Sequence, residues 1–291
     1  MRRTHVFGKV IRGLHLFAAG TRLLVRPYRG IGSPSDYVIL DAKTLKVLAR
    51  FRLGWPKGAT IDDTVTHSES GSTLVITANV RDASMMAMDL DGVVYVVAGS
   101  DGRILKKLRT EKPFSTAKLT PDGRQVVLSM HERGAFRVQP TILAIPTLNE
   151  VGTLPFAFSK VDSLEFDPSG RLLAGKRTDG LGFLWDFAKR QLIATLAPGA
   201  GIRSLKFSPD GDRIVTGSTN RTTTIWNSRN GDEVFSLRYD SLRQDDQSGD
   251  SASDYSVFSD DGSKIIMACT DGAVRIWSTV PWKDQDKAAR K

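Results

Sequence analysis

Four histidines, one cysteine and a few adjacent carboxylates are the residues of this 291-residue chain whose types invite a chemical reading. His15 and His67, with Asp62 or Asp63 close by, have the donor types of a metal centre. They lie five and four residues ahead of Gly20 and Gly71, two equivalent turn glycines. Side chains alternate along a strand, so this one-residue offset turns the two imidazoles to opposite faces. A structural role is expected for both, and no metal. Cys269 ends the apolar run Ile265-Ile266-Met267-Ala268-Cys269 and reads as a small buried hydrophobe. Gly30-Ile31-Gly32 and Gly180-Leu181-Gly182 lack the remaining pattern of a phosphate-binding loop and read as turn glycines. Asp62-Asp63, Asp245-Asp246 and Asp260-Asp261 are assigned to loops and turns, where Asp bonds its own backbone. The expectation is no catalytic residue, no cofactor and no metal.

The elements that position these residues are repeats. Leu164-Glu165-Phe166-Asp167-Pro168-Ser169-Gly170 matches Leu205-Lys206-Phe207-Ser208-Pro209-Asp210-Gly211. Ala117–Gly123 and Ser256–Gly262 are looser copies, and Trp185, Trp226 and Trp277 each end a β-rich run downstream of one. The turn glycine recurs at 20, 71, 123, 170, 211 and 262, with gaps of 51, 52, 47, 41 and 51 residues. The residues after Gly262 and those up to Gly20 together make one more repeat of 49. Such a period marks a repeat architecture.

The fifth repeat shows what each unit contains. Ile202–Phe207 alternates, Ser208–Gly211 is a turn, and strands follow at Asp212–Gly217, Thr222–Asn227 and Glu233–Tyr239. Four short strands per repeat make one blade of a β-propeller. The expected fold is all-β, a six-bladed β-propeller over residues 1–282 with a charged tail at 283–291; seven blades is the alternative. The sixth repeat lacks a fourth strand. Thr4–Ile11 is expected to supply it, removing exposed sheet edges.

The Leu-x-Phe-Ser-Pro-Asp-Gly turn, the Thr216-Gly217-Ser218 strand end and the Ile-Trp strand ends resemble the WD40-repeat family over about 160–280, and more weakly before that. Ile39–Leu48 also resembles the repeats of quinoprotein-like propellers. Asp179 and Asp271 match the turn Asp of the WD40 hydrogen-bond tetrad, and Trp185, Trp226 and Trp277 match its Trp. The Gly-His dipeptide is absent, so the tetrad is incomplete. The resemblance implies a non-catalytic scaffold that binds a protein or peptide partner. The alternatives are a propeller-based enzyme, lactonase-like or quinoprotein-like, and a nucleic-acid-associated propeller.

By the same resemblance, the loops between second and third strands line the top face. Five carry arginine, Arg29, Arg81, Arg133, Arg177 and Arg221, and the sixth carries Asp271. Guanidinium groups on one rim would grip carboxylates or phosphates in bidentate fashion. Asp82, Glu132 and Asp179 stand beside three of them as competing local partners. Trp55, Phe114 and the Phe156–Phe158 segment place aromatics in the connections between blades, as interface anchors or tucked between blades. Asp240–Asp254 is acidic and rich in Ser and Gly, an insertion able to mask a basic face.

Net charge is +9, which permits acidic protein partners, nucleic acid or anionic surfaces. No dense Lys/Arg run marks a nucleic-acid arm, and no apolar run reaches the ~20 residues of a membrane span. A single cysteine excludes an internal disulfide framework, and the expected location is cytoplasmic. The partner is expected to be a protein or peptide, with acidic character favoured by the arginines.

Overall fold

The computed structural model describes residues 11–27, 36–54, 60–81, 91–130, 139–154, 160–238, 255–269 and 271–279. They form strands and turns, with no helix among them. No helix there is long and apolar enough to cross a membrane. The chain divides into two compact units, Met1–Ala157 and Phe158–Lys291.

The first unit holds three four-stranded sheets. β1 (Ile11–Phe17), β2 (Arg22–Pro27), β3 (Asp36–Asp41) and β4 (Val47–Arg52) form the first. β5 (Thr60–His67), β6 (Thr73–Arg81), β7 (Asp91–Ala98) and β8 (Ile104–Thr110) form the second. β9 (Phe114–Leu119), β10 (Gln125–Met130), β11 (Thr141–Ala144) and β12 (Glu150–Thr153) form the third.

The second unit holds two more such sheets and a three-stranded one. β13 (Val161–Phe166), β14 (Leu172–Arg177), β15 (Gly182–Asp186) and β16 (Gln191–Leu196) are followed by β17 (Ile202–Phe207), β18 (Arg213–Ser218), β19 (Thr222–Asn227) and β20 (Glu233–Arg238). The last sheet is β21 (Tyr255–Phe258), β22 (Lys264–Ala268) and β23 (Val274–Ser278). Every sheet is antiparallel and runs up and down in chain order, which is the blade of a β-propeller. Thr4–Val10, assigned to the last sheet from sequence, lie outside the described residues, and Ile11 opens β1 of the first sheet.

Burial explains the strand sequences. Inner strands such as β7 and β19 are buried on both faces, and so read as apolar or β-branched runs, Val93–Val97 and Thr222–Ile225. Outer strands meet solvent on one face; β4 accordingly alternates between half-buried and exposed. Consecutive sheets of a unit share a core. Phe17, Tyr37 and Ile39 pack with Leu74, Ile76 and Tyr95; Leu172, Leu184 and Ile202 pack with Ile214 and Trp226.

The recurrent turn is fixed by side-chain chemistry. Ser208 Oγ donates to Asp210 Oδ1 at 2.5 Å, and Asp210 and Ser208 in turn accept the backbone N–H groups of Asp212 and Arg213. Thr120 with Asp122 and Ser259 with Asp261 repeat the arrangement. Gly211 follows at φ +75, a conformation glycine adopts without a Cβ clash. The other five anchor glycines share it, with φ between +67 and +77.

Three sequence readings need correction. β18 starts at Arg213 and ends at Ser218, one residue later than expected at both ends, because Asp212 still belongs to the turn. Gly182 is a strand residue: it opens β15, where a Cβ would meet Ile202 Cδ1 at 3.0 Å. Asp62 and Asp63 lie inside β5, not in a loop.

Candidate functional site

The turns of the second unit are tied together by main-chain hydrogen bonds. Thr178 N–H donates to Lys160 O at 2.9 Å, Ile202 N–H to Gly180 O at 2.9 Å, and Thr219 N–H to Gly201 O at 2.9 Å. The β14–β15 turn thus lies against the start of β17, which lies against the β18–β19 turn. Gly180 permits this: it has φ +85, and a Cβ there would stand 2.9 Å from Gly201 Cα. Arg177, Arg203 and Arg221 therefore share one end of the unit. β20 finishes at the same end, since Arg238 pairs with Thr222 in the ladder.

Arg203 holds its place through a β-bulge. Ile202 pairs with Ser218 and Ser204 with Gly217, which leaves Arg203 as the extra residue, exposed. Bulges re-aim a side chain out of the ladder. Asp162 in β13 and Ser115 in β9 sit at the same step. Sequence reasoning passed over this position. Its signal was the shared frame Val161-Asp162-Ser163-Leu164 and Ile202-Arg203-Ser204-Leu205, in which one exposed residue changes within an otherwise constant pattern.

The carboxylates at this end are already engaged. Asp179 pairs with Arg177, and Asp162 lies 3.9 Å from Lys176. Asp271, whose side chain is fully buried, takes a two-pronged bond from Arg275 at 3.0 and 2.6 Å. That bond raises the Arg275 guanidinium further above its ordinary range. Among the described residues, Lys160, Lys176, Arg177, Arg203, Arg221, Arg238 and Arg275 face three carboxylates, Asp162, Asp179 and Asp271. The described residues of this end carry net positive charge. Arg221 sits in the left-handed backbone region at φ +65, a local strain that surrounding structure must hold.

Of the arginines singled out from sequence, Arg177 and Arg221 are placed at these turns. Arg81 closes β6 of the first unit. Arg29, Arg133 and Trp55 lie outside the described residues, as do Asp240–Asp254 and the charged tail. Phe114 requires a correction. It is only 6% exposed and packs between the second and third sheets with Val75, Val94 and Val96. Asn79 holds its main chain from both sides, accepting from its N–H at 2.7 Å and donating to its carbonyl at 2.8 Å. Tucking between blades describes this ring; an exposed anchor does not.

The first unit has a buried polar centre that sequence reasoning missed. Asp63, whose side chain is 1% exposed, is paired with Arg26 and takes a hydrogen bond from the Tyr37 hydroxyl. His15 and His67 stand nearby. Burial first, then the charge of Arg26 and the neighbouring His67, push the His15 imidazole below its ordinary pKa. The alternation argument put the two histidines on opposite faces. In adjacent sheets those are the two faces that meet, so His15 lies close enough to His67 to feel its charge. Among the described residues, no group of three His, Cys, Asp or Glu is placed to hold a metal ion. Cys269, the single cysteine of the chain, is buried.

Known proteins resemble this chain in part. The family model "WD domain, G-beta repeat" matches residues 190–227 and 251–278. The small ribosomal subunit protein RACK1 of Medicago sativa is 30% identical over 126 residues, 40% of this chain and 38% of that protein. The guanine nucleotide-binding protein subunit beta of Saccharomyces cerevisiae is 28% identical over 158 residues, 51% of this chain and 36% of that protein. A periodic tryptophan protein 2 homolog of Schizosaccharomyces pombe is 28% identical over 179 residues, 57% of this chain and 20% of that protein. The chain spans less than half the length of these relatives. Residues 190–227 and 251–278 thus match the WD40 repeat, and they fall within the fourth, fifth and sixth sheets.

Proposed function

We propose that this chain is a non-catalytic interaction module whose second unit takes an acidic segment of a partner protein on its turn end. The observation that carries this reading is the set of three hydrogen-bonded turns that gathers Arg177, Arg203 and Arg221 where the local carboxylates are already paired. Described cations outnumber described carboxylates at that end, and guanidinium suits carboxylate by its planar fork. The corresponding turns of the first unit carry Arg29, Arg81 and Arg133 in sequence, and the same reading applies to that unit on its own. A lone, buried cysteine suits a reducing compartment such as the cytoplasm.

The test is capture of partners from a lysate by the wild type and by the Arg203→Glu/Arg221→Glu double variant, with mass spectrometry of what is retained. Identified partners are then titrated by calorimetry. Arg203 is exposed, where substitutions usually change stability by about 0.5 kcal/mol or less; Arg221 is half-buried, so a thermal melt establishes that the double variant is folded. Partners with acidic segments should be lost, and wild-type affinity should fall as salt rises, since exposed charges are screened. Equal capture by the double variant would sink the proposal.

The net charge of +9 and the ribosomal name of one relative support a second reading, contact with RNA. A labelled uridine oligonucleotide serves as its probe in the same titration. Binding of that probe in preference to an acidic peptide would favour it.

A further inference from the structure

β4 is the last strand of the first sheet. One edge is laddered to β3; the other carries no strand among the described residues. Its residues from Ala49 to Arg52 alternate between two faces. Ala49 and Phe51 turn to the core shared with the second sheet, and Phe51 stacks on Tyr37 with ring centroids 5.1 Å apart and planes within 9°. Leu48, Arg50 and Arg52 turn outward and are exposed. In the ladder Arg52 lies opposite Asp36, and its Nε donates to that carboxylate at 2.7 Å. Arg50 lies opposite Val38 instead, and makes no ion pair with a described residue. Arg50 and Arg52 border a groove of about 440 Å³ whose lining also includes Asp36 and Val38.

We propose that the outer edge of β4 binds an extended acidic peptide, which adds to the first sheet as a fifth strand with its carboxylates on Arg50 and Arg52. An open edge offers unpaired N–H and C=O groups in register for such a strand. Alternate residues of a strand are spaced by roughly 6.6–6.8 Å. Arg50 and Arg52 have that spacing, so two acidic residues separated by one position stand opposite them as cross-strand pairs. Val38 gives Arg50 no counter-charge, so a carboxylate from outside supplies the one this position lacks. Leu48 sits where the ladder shifts register, and its exposed side chain sets an apolar preference at that end of the peptide. This edge belongs to the first unit and is independent of the turn-end site.

The experiment is fluorescence polarisation with a fluorescein-labelled octapeptide alternating glutamate and valine, beside a counterpart alternating lysine and valine. The glutamate peptide should bind the wild type, and the lysine peptide should not. With the turn-end site removed by Arg203→Glu/Arg221→Glu, adding Arg50→Glu should weaken the remaining binding at least tenfold, and adding Arg50→Lys should retain most of it. Hydrogen exchange on the wild type is the second readout: amides within 47–52 should slow when the glutamate peptide is added. No binding by the wild type means that the arginines only guard the edge, and overturns the proposal. So does equal binding with and without Arg50→Glu in the Arg203→Glu/Arg221→Glu background, or exchange within 47–52 that ignores the peptide.

Discussion

The indole N–H of Trp226 donates to Thr216 Oγ1 at 2.9 Å, with both side chains buried. Thr216 also approaches the carbonyl of Thr224 at 3.4 Å, so the hydroxyl ties β18 to β19 through two contacts. The link joins Trp226, matched to the Trp of the incomplete tetrad, to a hydroxyl. Thr216→Val keeps the shape and removes the acceptor. A buried donor without a partner costs about 1–3 kcal/mol. Chemical denaturation should show a loss of that size, and Thr216→Ser should recover most of it. A neutral Thr216→Val would show that the bond contributes little.

Arg26 and Asp63 form a pair that joins the first sheet to the second, with side chains 15% and 1% exposed. Arg26→Met leaves the Asp63 carboxylate with the Tyr37 hydroxyl alone. Removing one partner of a buried ion pair costs about 3–5 kcal/mol. The double variant Arg26→Met/Asp63→Leu should recover much of that, because no buried charge remains. Unfolding midpoints of the single and double variants check the pair, and a single variant within experimental error of wild type would contradict this account.

Stability should fall on the acid side in two steps. The folded protein holds His15 below its ordinary pKa of 6.5, so the unfolded chain binds the extra proton first, and stability declines as pH drops below 6.5. The Asp261 carboxyl is held down at about 2, against a usual 3.8, by the hydroxyls of Ser259 and Ser263 and the backbone N–H of Ser263. Its contribution is present above 3.8 and is lost as pH falls toward 2. Urea midpoints measured against pH should lose the first step in His15→Gln and shrink in the second in Asp261→Asn. A first step that survives His15→Gln would assign it to another group.

Gly180 sets the spacing of the basic turns. Alanine there must adopt φ +85 and bring its Cβ to 2.9 Å from Gly201 Cα. Strain of this kind costs about 1–3 kcal/mol. Gly180→Ala should lower the melting temperature and also weaken acidic-partner binding, although it touches no charge. Gly199→Ala is the matched control, since its φ is +76 but nothing stands within 4 Å of a Cβ there. It should carry the strain and keep the binding.

Turn chemistry made the blades legible in the sequence. Each anchor glycine takes the positive φ its turn demands, and β17 and β19 begin and end where alternation and β-branched runs put them. The site was less legible, because it depends on contacts between neighbouring repeats. Asp63 looked like a loop acid, since its sequence neighbours show neither Arg26 nor Tyr37. Phe114 looked exposed because nothing local reveals Asn79 holding it in a core. Arg203 was hidden for another reason: a bulge adds one residue without disturbing the apolar pattern around it.

The bulged step at Ser115, Asp162 and Arg203 has a consequence for how such a protein diversifies. Ladder positions are constrained by cross-strand partners and by both neighbouring cores, so most replacements there disturb folding. The bulged residue lies outside the ladder. It has already held a hydroxyl, a carboxylate and a guanidinium in three blades of one chain. Duplicated repeats can drift at this step while their turns and cores stay fixed, so recognition evolves one position per blade at little risk to the scaffold. Libraries randomised at 115, 162 and 203 should therefore yield many folded members with different binding preferences.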